Sequence, residues 1–209
     1  MPPNTTVKSK YDAKVQLTKA GQPFMGKGIC IATSLRGKAC CQPVASQGVP
    51  YCKTHMKHGD TSLKVAKHPR AGKILVAARD LPAGYRIPLW GRVTGKKDLS
   101  EKAMEWAFDV TGGKFLDPTP YKGSMIQFCP CPGPNEVAVL SSIPVTPPKK
   151  GAKFGFWPFI LNQNVPKNFQ MTLQYGSNSK ESDTFFTERG IERLDVGLKQ
   201  YPTVRRKGA

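Results

Sequence analysis

Four residues in the first third of the chain have the types and spacing of a metal site: Cys30-x9-Cys40, then Cys52-x2-His55. Three thiolates and one imidazole form a soft ligand set that suits tetrahedral zinc (Zn2+), and Cys-x2-His is a tight half-site. Gly37 and Gly48 stand where turns would let the ligands converge. Cys41 adjoins Cys40, and spacing alone does not separate the two. A group of buried, unmetallated cysteines is the competing reading. With four protein ligands such a site is closed, so its metal is structural and supplies much of the folding energy of a small polar module. His58 and His68 fall outside the spacing and read as surface residues.

A second candidate lies in Asn168-Phe169-Gln170-Met171-Thr172-Leu173-Gln174-Tyr175-Gly176. Phe169, Met171 and Leu173 alternate with Gln170, Thr172 and Gln174, the period of a strand with one buried face. Tyr175 ends it and places a phenol where a ligand can reach it. Taken alone, these nine residues favour a tyrosine that closes the core with its hydroxyl in water.

The elements that must position these residues are short. Twenty glycines and nineteen prolines in 209 residues favour strands and loops over long helices. Strands are expected at 61–65, 72–78, 85–91, 125–128, 135–140 and 154–161. Pro88 should force the 85–91 strand to an edge or a bulge. The best helix candidate runs over 97–108, with Leu99, Ala103, Met104, Trp106 and Ala107 on one wide face. Residues 144–153 read as a basic, proline-rich loop, 177–183 as polar and mobile, and 185–191 as one helical turn. Residues 1–24 lack lasting periodicity and read as a basic, mobile or loosely docked N-terminus. The expected organisation is this N-terminus, a zinc module over 25–60, a main domain over 61–177 and a C-terminal extension over 178–209.

Charge is unevenly spread. The chain carries 32 basic and 14 acidic residues, a formal +18. Twelve Lys and Arg stand against Asp12 and Asp60 in residues 1–72, or +10, and the remaining twenty against twelve give +8. Nucleic acid, an acidic protein surface or anionic lipid are the neighbours such a balance favours. Lys53, Lys57, Lys64, Lys67 and Arg70 cluster beside the metal ligands, where phosphate contacts would be indifferent to base sequence. No apolar run approaches the ~20 residues needed to span a bilayer, and no secretory h-region follows Met1. An intracellular, nuclear protein is the expectation.

The string from Cys30 to His55 resembles a family of short zinc modules with three cysteine ligands and one histidine. Further along, Gly72-Lys73-Ile74-Leu75-Val76-Ala77-Ala78-Arg79-Asp80-Leu81-Pro82-Ala83-Gly84 resembles the opening of SET domains, a glycine-led strand running into an "A-x-x-x-I-P-x-G" turn. Phe115-Leu116-Asp117-Pro118-Thr119 and Gly123-Ser124-Met125-Ile126-Gln127-Phe128 are similar to their "Y-I-D-A … G-N-I-A-R-F" segment. Pro134-Asn135-Glu136-Val137 resembles the end of "N-H-S-C-x-P-N". Val165 to Gly176 resembles the closing "I-x-x-G-E-E-L-T-x-D-Y-G". The four pieces stand in the family's order over residues 63–177.

SET domains are protein-lysine methyltransferases that use S-adenosylmethionine. The resemblance implies a mainly β fold of small curved sheets with one short helix, in which the last segment passes under an earlier loop. It implies that Tyr175 is the catalytic phenol and that Gly72, Lys73, Phe128, Cys129 and Asn135 hold the cofactor. It also implies a protein substrate with a target lysine, such as a histone or another chromatin protein. Phe154, Phe156 and Trp157 could wall a lysine channel or fill the core. The sequence departs from the pattern at Cys129-Pro130, which stand where the family has Asn-His, at the single glycine Gly72, and at Gln174 in place of an acid. Proline lacks an N–H donor. These departures carry a second expectation: a SET-like interaction module without catalysis, tied to nucleic acid or chromatin by its zinc-bound basic region.

Overall fold

In the computed structural model, strand β5 (Arg86–Gly95) pairs antiparallel with β9 (Phe154–Leu161) in a register that sets Pro88 opposite Pro158. Two prolines can face each other only where the ladder needs no N–H. Leu161 N donates to Tyr85 O at 2.9 Å, and the period of two then makes 87/159 and 89/157 the bonded pairs. Pro88 and Pro158 fall between them. On the other side of β5, the N–H of Arg86 donates to Gln22 Oε1 at 2.6 Å and that of Trp90 to Ser124 Oγ at 3.1 Å. Pro88 sits between these two, with no donor to satisfy. The expected edge is therefore local: β5 lies mid-sheet, but β7 joins it only from Arg92 onward. Gly84, at φ 84°, starts the pairing with a bulge in which Gly84 N donates to Leu161 O at 2.8 Å.

The structure describes residues 6–8, 14–69, 71–110, 112–175 and 178–191. Its elements are β1 (Thr6–Lys8), β2 (Lys14–Gln16), α1 (Lys53–His58), β3 (Leu63–His68), β4 (Gly72–Ala77), β5, α2 (Glu101–Met104), β6 (Phe108–Asp109), β7 (Lys114–Asp117), β8 (Leu140–Ser142), β9 and α3 (Ser179–Thr187). They make a five-stranded sheet in the order β6-β7-β5-β9-β8 and two antiparallel pairs, β1-β2 and β3-β4. The protein is thus mainly β, with small sheets and short helices. Among the described residues no helix is long and apolar enough to cross a membrane.

Segment 169–173 runs between elements that come earlier in the chain. Ala77 N donates to Phe169 O at 3.0 Å and Met171 N to Leu75 O at 2.8 Å on one side. Leu140 N donates to Thr172 O at 3.1 Å and Leu173 N to Pro130 O at 3.0 Å on the other. The expected single buried face is corrected here, because Gln170, Met171 and Thr172 are all 0% exposed. Thr172 stays satisfied inside: its hydroxyl donates to Val137 O and accepts from Val139 N, both at 3.2 Å. Around this segment, Leu75, Tyr85, Ile87, Leu116, Ile126, Leu140, Phe159 and Leu161 form the main core.

Other expectations change with the fold. The helix expected over 97–108 is a 3-10 turn, Lys96–Asp98, and the single turn α2, capped where Ala103 N donates to Ser100 Oγ at 3.2 Å. Of its apolar positions Ala103 is buried, while Met104 and Trp106 are 45% and 41% exposed. A helix without a buried stripe gains too little to extend. Met125–Phe128 is a 3-10 turn and not a strand, and the strand expected at 135–140 starts only at Leu140. Residues 178–187, read as mobile followed by one turn, form α3, started by Asn178 Oδ1 accepting from Glu181 N at 2.9 Å. Residues 14–24 are docked: Val15, Leu17 and Ala20 are buried, and Gln22 holds Ile31 O and both backbone groups of Arg86.

Candidate functional site

The four candidate ligands converge because two local turns face each other. Cys30 N donates to Gln42 O at 2.7 Å and Cys40 N to Ala32 O at 2.9 Å, closing a loop that sets the two thiols side by side. Cys52 is the N-cap of α1 and His55 lies in its first turn, so the x2 spacing stacks their side chains on one face. The ligand atoms of Cys30, Cys40, Cys52 and His55 all lie within 4.8 Å of one another. Cys30 Sγ is 3.5 Å and Cys52 Sγ 3.3 Å from His55 Nδ1, and Cys40 Sγ is 4.0 Å from Cys52 Sγ. A tetrahedral zinc has S–S edges of roughly 3.8 Å and S–N edges of roughly 3.6 Å from its usual bond lengths. The set fits. Cys41 is set apart from it: at φ 54° its side chain is buried with Val15 and Leu17 in a separate cluster.

These groups share their protons tightly. The hydrogen bond from Cys30 holds the Cys40 thiol down to about 4, and burial opposes it. The Cys40 sulfur in turn lifts His55 to about 9. Cys30 is pushed up, first by that same bond and then by burial. Metal binding would replace these shared protons, taking the three sulfurs as thiolates and His55 as neutral imidazole.

A polar joint ties this loop to the sheets. Asp60, 1% exposed, accepts from Tyr85 Oη at 2.5 Å, from Ser62 N at 2.9 Å and from Thr33 N at 3.2 Å. Arg79 donates through Nε to Ser62 Oγ at 2.9 Å and through a terminal nitrogen to Thr33 Oγ1 at 3.0 Å. Apolar contacts reinforce it: Ile31, Val49 and Tyr51 pack with Trp90 of β5 and Phe154 of β9. Phe154 is therefore a core residue of this cluster with Phe156 packed against it, while Trp157, partly buried, packs against the main core.

The second site gathers at the far end of segment 169–173. Tyr175 Oη donates to Cys129 O at 2.8 Å, and burial pushes its phenol above the ordinary range. Cys129 and Cys131 are buried, and burial raises the Cys129 thiol. Lys73 Nζ lies 5.8 Å from the centre of the Phe128 ring. Lys73, Phe128, Cys129 and Tyr175 therefore form one line of neighbours, with Gly72 at the start of β4. Asn135 is exposed in the turn after Gly133. Pro130 has no N–H, and its carbonyl is taken by Leu173 N.

Residues that the motifs did not single out complete this site. Phe186 stacks on Tyr175 at 6.0 Å and 12°, and Phe185 meets it edge-on at 5.4 Å. Gln174 Nε2 donates to Ser182 Oγ at 2.6 Å, and that hydroxyl donates to Tyr175 O at 3.0 Å. The Asn178-x-x-Glu181 start of α3 was the available signal, since that spacing marks a helix N-terminus. Gln170 is fully buried and neither polar atom of its side chain has a partner among the described residues. His68, read as a surface residue, is 3% exposed and accepts from Ala71 N at 3.0 Å. His58 is exposed, and Arg70 and Gly176 lie outside the described residues.

No protein-family model matches the sequence, and neither does any curated protein. Among solved structures, a candidate histone methyltransferase from Plasmodium falciparum is similar at 9% identity and a TM-score of 0.43. The match covers 57% of this chain and 96% of the other.

Proposed function

We propose that the chain is a SET-type protein-lysine methyltransferase dependent on S-adenosylmethionine, with a structural zinc centre. The observation that carries the reading is the bond from Tyr175 Oη to Cys129 O, made by a closing segment that runs between β4 and Leu140. It joins the two stretches, around 129 and 169–175, in which the sequence resembles the family's site. The donor set also suits the cofactor's chemistry. Lys73 offers a cation for a carboxylate, and the Phe128 ring offers a flat apolar face for a purine. Gly72, Lys73, Phe128, Cys129 and Asn135 would hold S-adenosylmethionine, which supplies an electrophilic methyl group when bound.

The remaining work falls to this chain. Methyl transfer is an in-line displacement, so the substrate amine must arrive neutral and aimed. With its phenol pushed up by burial, Tyr175 stays protonated at neutral pH and does not serve as the base. Its part is to fix geometry and to place oxygen dipoles around the transferring methyl. Phe185 and Phe186 hold the ring in place and keep water from it. The substrate class is a protein lysine, a histone or another chromatin protein, with the basic N-terminal third contacting nucleic acid or chromatin in the nucleus.

A specific observation favours a second reading, a SET-like interaction module without catalysis. Pro130 has no N–H, and its carbonyl is already bonded to Leu173. Isothermal titration separates the two. Methyltransferase predicts heat with both S-adenosylmethionine and S-adenosylhomocysteine, and labelled methyl on lysine of a histone mixture. No heat with either ligand leaves the interaction module.

A further inference from the structure

One stretch of the chain is rich in cations and poor in acids. Residues 13–79 contain twelve Lys and Arg and a single acid, Asp60. That acid is buried in the joint with Tyr85, Ser62 and Thr33, so it does not reach the surface. Ten of the cations are exposed. The β3–β4 hairpin concentrates the effect. Its register sets Lys67 directly opposite Lys73, both exposed, and neither strand contains an acid. Like charges facing each other across a ladder cost stability. Lys64, three residues from Lys67, is satisfied by the neutral Asn168 side chain at 2.8 Å.

We infer that the Lys67–Lys73 face of this hairpin grips the phosphate backbone of a double-stranded nucleic acid. The inference makes specific the reading of the basic N-terminal third as a nucleic-acid contact. It concerns the chain without bound cofactor, whose carboxylate would otherwise take Lys73, and it does not depend on methyl transfer. A duplex is the partner whose charge density matches. It carries one negative charge per roughly 1.7 Å of axis, and each neutralised phosphate releases condensed counterions. A carboxylate surface is sparser and mixes its own cations among the acids. The mode of contact follows from what the stretch lacks. Its two aromatic residues are withheld, Tyr51 in the core and Phe24 half-buried with the Arg86 guanidinium 5.6 Å from its ring centre. Single-strand binders stack bases on exposed rings, whereas the ring beside this face, Phe128, is half-buried with the Lys73 ammonium 5.8 Å from its centre. The face therefore reads backbone and not bases.

The test uses the full-length, zinc-loaded chain and fluorescence anisotropy. The probes are a random-sequence DNA duplex, one of its single strands, and poly-glutamate at matched total charge. The variants are Lys67→Gln with Lys73→Gln, and a control pair from outside the stretch, Lys96→Gln with Lys97→Gln. The wild type is expected to bind the duplex most tightly, and with equal affinity for unrelated sequences. Losing two phosphate contacts should reduce the slope of log K against log salt by about 1.8, while the control pair should leave it unchanged. The Lys67/Lys73 variant should melt no lower than the wild type, since it relieves a like-charge pair. Tighter binding of poly-glutamate would overturn the inference in favour of an acidic protein. Preference for the single strand, or an unchanged slope in the Lys67/Lys73 variant, would overturn it equally. None of these measurements involves a methyl donor, so their failure is distinct from failure of the methyltransferase reading.

Discussion

Tyr85 donates its phenolic proton to Asp60 at 2.5 Å, across the joint between the metal loop and the sheets, and both are almost wholly buried. Burial raises the Asp60 carboxyl above its ordinary 3.8, against the opposing pull of its hydrogen bonds from Tyr85, Ser62 and Thr33. A raised carboxyl means that the folded chain holds this proton more tightly than the unfolded chain. Its contribution to stability is thus full below the unfolded value of 3.8 and is lost as pH rises through the folded value. Asp60→Asn removes this titration and can keep the two backbone N–H bonds. Denaturant unfolding over a pH series should show the wild type losing ground to Asp60→Asn as pH rises from about 4. A constant gap would mean that Asp60 titrates normally. Asp60→Ala leaves three donors without partners and should cost several kcal/mol, at about 1–3 kcal/mol each.

The convergence of Cys30, Cys40, Cys52 and His55 predicts one tightly held zinc per chain. Chelation at neutral pH should lower the melting temperature and unfold the 30–55 loop, because metal binding supplies folding energy to so small a unit. The adjacent cysteines give an internal control. Cys40→Ser should lose the metal and Cys41→Ser should keep it, as elemental analysis would report. The opposite result would reverse the ligand assignment.

Tyr175→Phe keeps the ring against Phe185 and Phe186 and removes only the bond to Cys129 O. Stability should fall by about 1 kcal/mol. If the hydroxyl organises methyl transfer, the rate should drop on the order of a hundredfold while affinity for S-adenosylhomocysteine hardly moves. Equal rates in the two proteins would leave Tyr175 as a core-closing residue.

Gly48 has φ 81°, and a Cβ there would overlap the Phe154 carbonyl of β9. Gly48→Ala should therefore part the metal loop from the sheet as well as strain its own backbone. Gly26, at φ 78°, has open space around it and isolates the strain, about 1–2 kcal/mol for a left-handed alanine. Chemical denaturation should find Gly48→Ala clearly worse than Gly26→Ala. Equal losses would show that the close approach is unimportant.

The clustering of Cys52 with His55 was legible in the sequence because Cys52-x2-His55 is a local relation, one turn from an N-cap to the same helix face. Phe154–Leu161 and Gly72–Ala77 were legible for the same reason, since runs of apolar residues between turn signals report local chain geometry. Local patterns could not say whether Gln170 and Thr172 face water. That depended on Val137, Val139 and Leu140 arriving from elsewhere to meet Thr172, and on β4 bringing Val76 opposite Gln170. Nor could they choose Cys40 over Cys41, which depended on where Val15 and Leu17 dock. The helix over 97–108 failed because periodicity offers a face but does not supply a partner to bury it. Spacing alone placed Tyr175 at the end of its segment. Only the tertiary structure put its hydroxyl on Cys129 O, through the pairing of 169–173 with strands far away in the chain.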